Sequence, residues 1–126
     1  METMLNIAIL LLVSPQLLRA AIKETLEQQG YSVFDASNLG MAVERLKENK
    51  QDLLIISPYL EDISGQDAAN FLRTKCPGLP VLVLGGIMDD DRIQTRLAVG
   101  RFEIFPKPFT AAELVQKVKD TLQKVR

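Results

Sequence analysis

The chain has 126 residues, 47% hydrophobic and 25% charged, the make-up of one globular domain with a sizeable core that needs no disulfide or metal to hold it. With no histidine and a single cysteine, Cys76, it excludes imidazole zinc sites, Ser-His-Asp triads, Cys-His dyads, phosphohistidine transfer and an internal disulfide. Fifteen basic against 16 acidic side chains give a net charge of −1, which advertises neither a nucleic-acid nor a membrane partner.

The first apolar run, 7–13, is far short of the roughly 20 residues a bilayer needs. The segment before it carries Glu2 and no Lys or Arg, unlike a secretory leader, so a cytoplasmic protein is expected. The run is continuous, as strands covered on both faces are. Ser14-Pro15 reads as an N-cap followed by proline at the first helical position. Leu17, Leu18, Ala21, Ile22 and Leu26 then give one apolar helix face, closed by Gly30. A second strand is expected over 31–34, and a second helix with Leu39, Ala42, Val43 and Leu46 inward. A third strand over 53–56 precedes a helix with Ala68, Phe71 and Leu72 inward. Pro77, Gly78 and Pro80 break the chain before a fourth strand over 81–84. Asp89, Asp90 and Asp91 suit the start of a weaker fourth helix, marked by Ile93 and Leu97 and ended by Gly100. A fifth strand over 102–105 leads to the capping box Thr110-Ala111-Ala112-Glu113 and a helix burying Leu114, Val115, Val118 and Leu122.

Five strands alternating with five helices predict one domain over 1–126, a (βα)5 doubly wound parallel sheet with right-handed crossovers. The working crevice of such a sheet lies beyond the carboxyl ends of its strands. The residues there are Ser14 and Pro15, Asp35, Ser57 and Pro58, Gly85 and Gly86, and Pro106 and Lys107. A phosphate-cradling loop is not among them. The loop after the first strand is Ser14-Pro15-Gln16-Leu17, with one donor removed by proline and no glycine before Gly30. Nor is a cluster of carboxylates for magnesium, since Asp35 stands alone.

The pattern resembles the receiver domain of two-component response regulators over essentially the whole chain. Phe105-Pro106-Lys107-Pro108-Phe109-Thr110 is similar to the Lys-Pro-Phe motif that follows the family's fifth strand. The stretch from Asp52 to Gly65 resembles its third strand and following loop, and Gly30-Tyr31 and Leu79-Pro80-Val81 also match in place. The resemblance implies a flavodoxin-like sheet of order 2-1-3-4-5. It also implies where the family's chemistry belongs, and there this chain departs from it. Eight residues before Gly65, the phosphoacceptor aspartate position is Ser57. The magnesium-holding acidic pair falls on Ser14 and Pro15, or on Val13 and Ser14 in a shifted register. The Thr or Ser position is Gly85, the switch aromatic is Ile104, and Lys107 alone is retained.

Phosphoryl transfer needs a nucleophile and a cation to neutralise the transferred group. A serine hydroxyl without a neighbouring base is a poor nucleophile. The expectation is therefore a pseudo-receiver that is no enzyme, holds no Mg2+ or other cofactor, and serves bacterial signalling as a phosphorylation-independent protein-interaction module. Residues 92–126 carry 8 basic and 3 acidic side chains. The face built by the fourth helix, fifth strand and fifth helix is thus the expected site of a homodimer or an acidic partner, with Arg92, Arg96, Arg101 and Lys119 on it. Two alternatives stand beside this reading: a small-ligand sensor using the neutral crevice around Gly85-Gly86, and the receiver part of a longer transcriptional regulator. Ser57 is read as a loop hydrogen-bonder, with a serine phosphosite as the variant. Asp62 is read as a turn residue, Ile104 as packing and Cys76 as a small hydrophobe.

Overall fold

The computed structural model describes residues 7–60, 63–84, 102–105 and 109–124. The element order is β1 (Ala8–Leu12), α1 (Gln16–Glu27), β2 (Ser32–Ala36), α2 (Leu39–Glu48), β3 (Leu53–Ile56), α3 (Gly65–Lys75), β4 (Val81–Leu84), β5 (Phe102–Phe105) and a final helix, Ala111–Lys124. The strands form one parallel sheet of order β2-β1-β3-β4-β5. This is the doubly wound sheet that the alternation predicts. The stretch expected to form the fourth helix, with Gly85, Gly86, Arg92, Arg96 and Gly100, lies outside the described residues, as do Asp62, Arg101, Pro106, Lys107 and Pro108.

Alternate residues of β1 feed opposite faces of the sheet. Ile7, Ile9, Leu11 and Val13 join Ile22 and Leu26 of α1 and Leu114, Val118 and Leu122 of the final helix in one core. Leu10 and Leu12 join Ala42 of α2 and Ala68, Ala69 and Leu72 of α3 in the other. Every residue of β1, β3 and β4 is buried, so continuous apolar runs are what a strand covered on both faces requires. The alanines of α2 and α3 are fully buried, which lets those helices sit close on the sheet.

Four local expectations change. β2 runs through Asp35 to Ala36 rather than ending before the aspartate, because both residues pair in register with Leu11 and Leu12. The buried stripe of α1 is Leu18, Ile22 and Leu26, spaced by four; Leu17 and Ala21 lie one position off it and face outward, Leu17 at 85% exposure. Phe71 of α3 is likewise off the Ala68-Ala69-Leu72 stripe and is exposed, its ring carrying the Lys75 ammonium 5.3 Å from the centroid. Finally, the N-cap of α1 is Pro15 and not Ser14, and no side chain caps that helix. The capping box at Thr110 forms as expected: the Thr110 hydroxyl accepts from the Glu113 N–H at 3.0 Å and the Glu113 carboxylate from the Thr110 N–H at 2.8 Å. Gly30 has φ +96°, the left-handed conformation expected of a residue that closes a helix. None of the helices among the described residues is long and apolar enough to cross a membrane.

Candidate functional site

A parallel sheet delivers the ends of its strands to one edge, and adjacent strands bring their following residues together there. Ser57 follows β3 and Ser14 follows β1, which are neighbours in the sheet. Ser57 is buried, at 4% exposure. Its hydroxyl accepts from the Ser14 N–H at 2.9 Å and donates to the Ser14 carbonyl at 3.2 Å. The Ser57 N–H donates to the Leu12 carbonyl at 3.1 Å, extending the ladder by one bond. With its backbone held this way, Ser14 is withdrawn from the capping role expected of it. Pro15 takes that place with φ −80° and ψ 175°, and its carbonyl accepts from the Arg19 N–H.

Gly65 fixes the other wall. It is the first residue of α3, and a Cβ there would fall inside the van der Waals contact of the Ser57 carbonyl oxygen and lie 2.9 Å from Pro58 Cα. The Gly65 N–H donates to the Pro58 carbonyl at 2.8 Å, and Tyr59 and Ser64 pair across the loop between them. A glycine is needed here because helix and strand end meet backbone to backbone.

One participant escapes the sequence reading. Arg19, in the second turn of α1, reaches back over the strand ends with its side chain only 13% exposed. Its Nη1 donates to the Val13 carbonyl at 2.9 Å, and its Nε lies 3.6 Å from Asp35 Oδ2. From α2, Arg45 Nε donates to the Asp35 carbonyl at 3.2 Å. The signal was available: helical side chains lean toward the helix N-terminus, and the N-terminus of α1 lies at the crevice. The carbonyls at the end of β1 are therefore all engaged, Leu12 by the Ser57 N–H, Val13 by Arg19 and Ser14 by the Ser57 hydroxyl. Among the described residues no group of three or more carboxylate, cysteine or histidine side chains could hold a metal ion.

The remaining expected residues lie apart. Ile104, in register with Val83 on β5, is half-buried against the α2–α3 core. Next to it, Glu103 meets Lys117 Nζ of the final helix at 2.7 Å. Lys119 is half-exposed on that helix, and Cys76, half-buried, ends α3. Gly85, Lys107, Arg92, Arg96 and Arg101 are outside the described residues.

Residues 9–119 match the response regulator receiver domain. The chain is 26% identical over 121 residues to the probable transcriptional regulatory protein TcrX of Mycobacterium tuberculosis, covering 94% of this chain and 50% of that protein. It is 31% identical over 114 residues to the transcriptional regulatory protein CrdR of Helicobacter pylori, covering 88% and 53%. It thus spans about half the length of the curated relatives it matches. Among solved structures, the response regulator TrrA of Thermotoga maritima, in complex with Mg2+ and BeF, superposes with a TM-score of 0.77 at 26% identity, over 91% of this chain and 98% of that one.

Proposed function

This chain belongs to the response regulator receiver domain family, and from that premise we propose that it is a pseudo-receiver, one that signals through protein contacts without an aspartyl phosphate. One observation carries the reading. The position that the family resemblance assigns to the phosphoacceptor is Ser57, whose hydroxyl is buried and engaged by both backbone groups of Ser14. A nucleophile must present a lone pair to an incoming phosphorus and hand its proton to a base. Ser57 has its proton on the Ser14 carbonyl, and among the described residues no base bonds to its hydroxyl, which speaks equally against a serine phosphosite. The residues after β1 and β3, Ser14, Pro15, Ser57 and Pro58, offer no carboxylate to hold Mg2+. On this reading the domain, spanning 1–126, is no enzyme, needs no cofactor and works in the cytoplasm of a bacterium.

The partner face is proposed from charge. Arg92, Arg96, Arg101 and Lys119 belong to a segment with 8 basic and 3 acidic side chains, suited to a second copy of the chain or an acidic protein surface. Reversing those four charges is expected to abolish self-association measured by sedimentation or capture of an acidic partner; unchanged association of both kinds would remove this face from the proposal. A second reading, the receiver part of a longer transcriptional regulator, is favoured by the relatives, which are transcriptional regulatory proteins about twice the length matched.

The central test is a backbone NMR titration with Mg2+ and then Mg2+ plus beryllofluoride, a mimic of the aspartyl phosphate. The expected result is no site-specific shift. Shifts clustered on Ser14, Ser57 and Lys107 would mean that the phosphoryl site functions, and the pseudo-receiver reading would fall.

A further inference from the structure

We propose that Arg19 is the resident cation of this crevice, standing where the oxygens at the ends of β1 and β2 would otherwise collect a divalent ion. The inference rests on the metal-free reading above and says what takes the metal's place. Hard divalent cations are bound by carboxylate and carbonyl oxygens. Two such oxygens lie at this edge, each in contact with Arg19: the half-exposed carboxylate of Asp35 on β2 and the carbonyl of Val13 just beyond β1. Left alone, a carboxylate and a carbonyl on neighbouring strand ends make a region of negative potential. The Arg19 guanidinium meets both, donating to Val13 at 2.9 Å and lying 3.6 Å from the Asp35 carboxylate. Its charge is permanent and its donors form a fixed fork, so one side chain can serve both oxygens at once.

The tether also explains the neighbouring bonds. Arg45 takes the Asp35 carbonyl, and the Ser57 hydroxyl and N–H take the carbonyls of Ser14 and Leu12. Each carbonyl named at this edge thus has a hydrogen-bond donor from within the chain, and the half-exposed Asp35 carboxylate has Arg19 as its ion-pair partner. A bound ion arrives and leaves with its concentration; a guanidinium on α1 does neither. The link between α1 and the ends of β1 and β2 is therefore built into the chain and does not depend on an ion's concentration.

Manganese is the probe, because it prefers the same oxygen ligands as magnesium and broadens the NMR signals of nearby amides. In the wild-type chain at millimolar Mn2+, the amides of Val13, Ser14, Asp35 and Ala36 should keep their intensity. In Arg19→Gln they should broaden by about threefold or more relative to wild type, the Val13 and Asp35 oxygens now being free for the ion. Arg19→Lys, which keeps the charge but not the fork, should broaden less than Arg19→Gln, and adding Asp35→Asn to Arg19→Gln should remove the broadening. If Arg19→Gln broadens no more than wild type, the tethered cation is wrong while the pseudo-receiver reading stands. If the wild-type amides themselves broaden, Arg19 does not exclude the ion and both readings fail; that arm needs no folded variant.

Discussion

A hydroxyl offers one proton and two lone pairs, and the Ser14 backbone takes the proton of Ser57 and one of its lone pairs. Ser57→Ala leaves the Ser14 N–H and carbonyl without these partners; Ser14 is exposed, so water replaces part of what is lost, and urea denaturation should show a loss of about 1 kcal/mol. Ser57→Asp, which writes the family's acceptor into the position, should cost at least as much at neutral pH. A carboxylate can accept from the Ser14 N–H but has no proton for the Ser14 carbonyl, which it would face oxygen to oxygen. Protonation relieves that clash, so Ser57→Asp should regain stability relative to Ser57→Ala as the pH falls toward 4; a constant gap would show that the carbonyl is not opposed. Tyr31 gives a test at the alkaline end. Burial raises its phenol pKa above the ordinary 10.0. The folded state then holds the phenolic proton more tightly than the unfolded chain does. Its stabilising effect is complete below about pH 10, the unfolded value, and is lost as the pH rises through the folded value. Wild type should therefore lose stability above pH 10 faster than Tyr31→Phe, and superimposable urea midpoints for the two up to pH 11 would refute this. At this scale, the place of Ser57 at a strand end was legible because the apolar run 53–56 stops one residue before it. Arg19 was not, because its partners Val13 and Asp35 belong to two strands and only the folded sheet brings their oxygens together.

The helices differ in how their ends are held, and the differences predict which ends will tolerate change. The final helix is started by a reciprocal pair of bonds between Thr110 and Glu113. Thr110→Ala removes the cap acceptor and should lower stability by about 1 kcal/mol in thermal denaturation, with Thr110→Ser near wild type. α3 starts instead against backbone: Gly65 packs on the Ser57 and Pro58 main chain, which cannot rotate aside as a side chain can. Gly65→Ala should cost about 3 kcal/mol, the upper range for overpacking, and should shift the Ser14 and Ser57 amide resonances together because it displaces the bond between them. An alanine there with wild-type spectra would mean that the loop has room to move. The elements themselves were readable from the sequence wherever burial is two-sided, as at 53–56 and 81–84, where strand bounds match to the residue. They were less readable at β2, an edge strand with a mixed pattern in which polar Asp35 is kept in the ladder by pairing with Leu11. Helix faces were placed to within one position. Leu17 and Phe71 were counted inward because apolar character alone does not distinguish the centre of a stripe from its flank.

At the scale of the molecule, two apolar layers clamp a sheet in which the carbonyls at the ends of β1 and β2 are met by donors of the chain itself. Order 2-1-3-4-5 places β1 between β2 and β3, so the three bonds from Ser57 and the Arg19 bond to Val13 meet at its carboxyl end, while Arg19 also reaches Asp35 on β2. Any ligand that binds only the folded state raises stability by an amount set by its concentration relative to its Kd. A receiver with a working magnesium site of Kd near 0.1 mM would gain about 2.7 kcal/mol in 10 mM Mg2+. For a domain of this size that corresponds to a rise in Tm of about 10 °C. On the proposed reading, the Val13, Ser14 and Asp35 oxygens at this edge are already engaged by Arg19 and Ser57. Wild-type Tm in 10 mM MgCl2 should therefore match that in NaCl of equal ionic strength to within about 1 °C, the salt control removing surface screening. Arg19→Gln should start from a lower Tm, since the Val13 carbonyl loses its hydrogen bond and the Asp35 carboxylate its ion-pair partner, and should recover part of the loss in Mg2+ but not in NaCl. A magnesium-dependent rise in the wild-type chain would place a divalent site somewhere in the fold, and its absence at Ser14 and Asp35 in the manganese spectra would locate that site away from this edge.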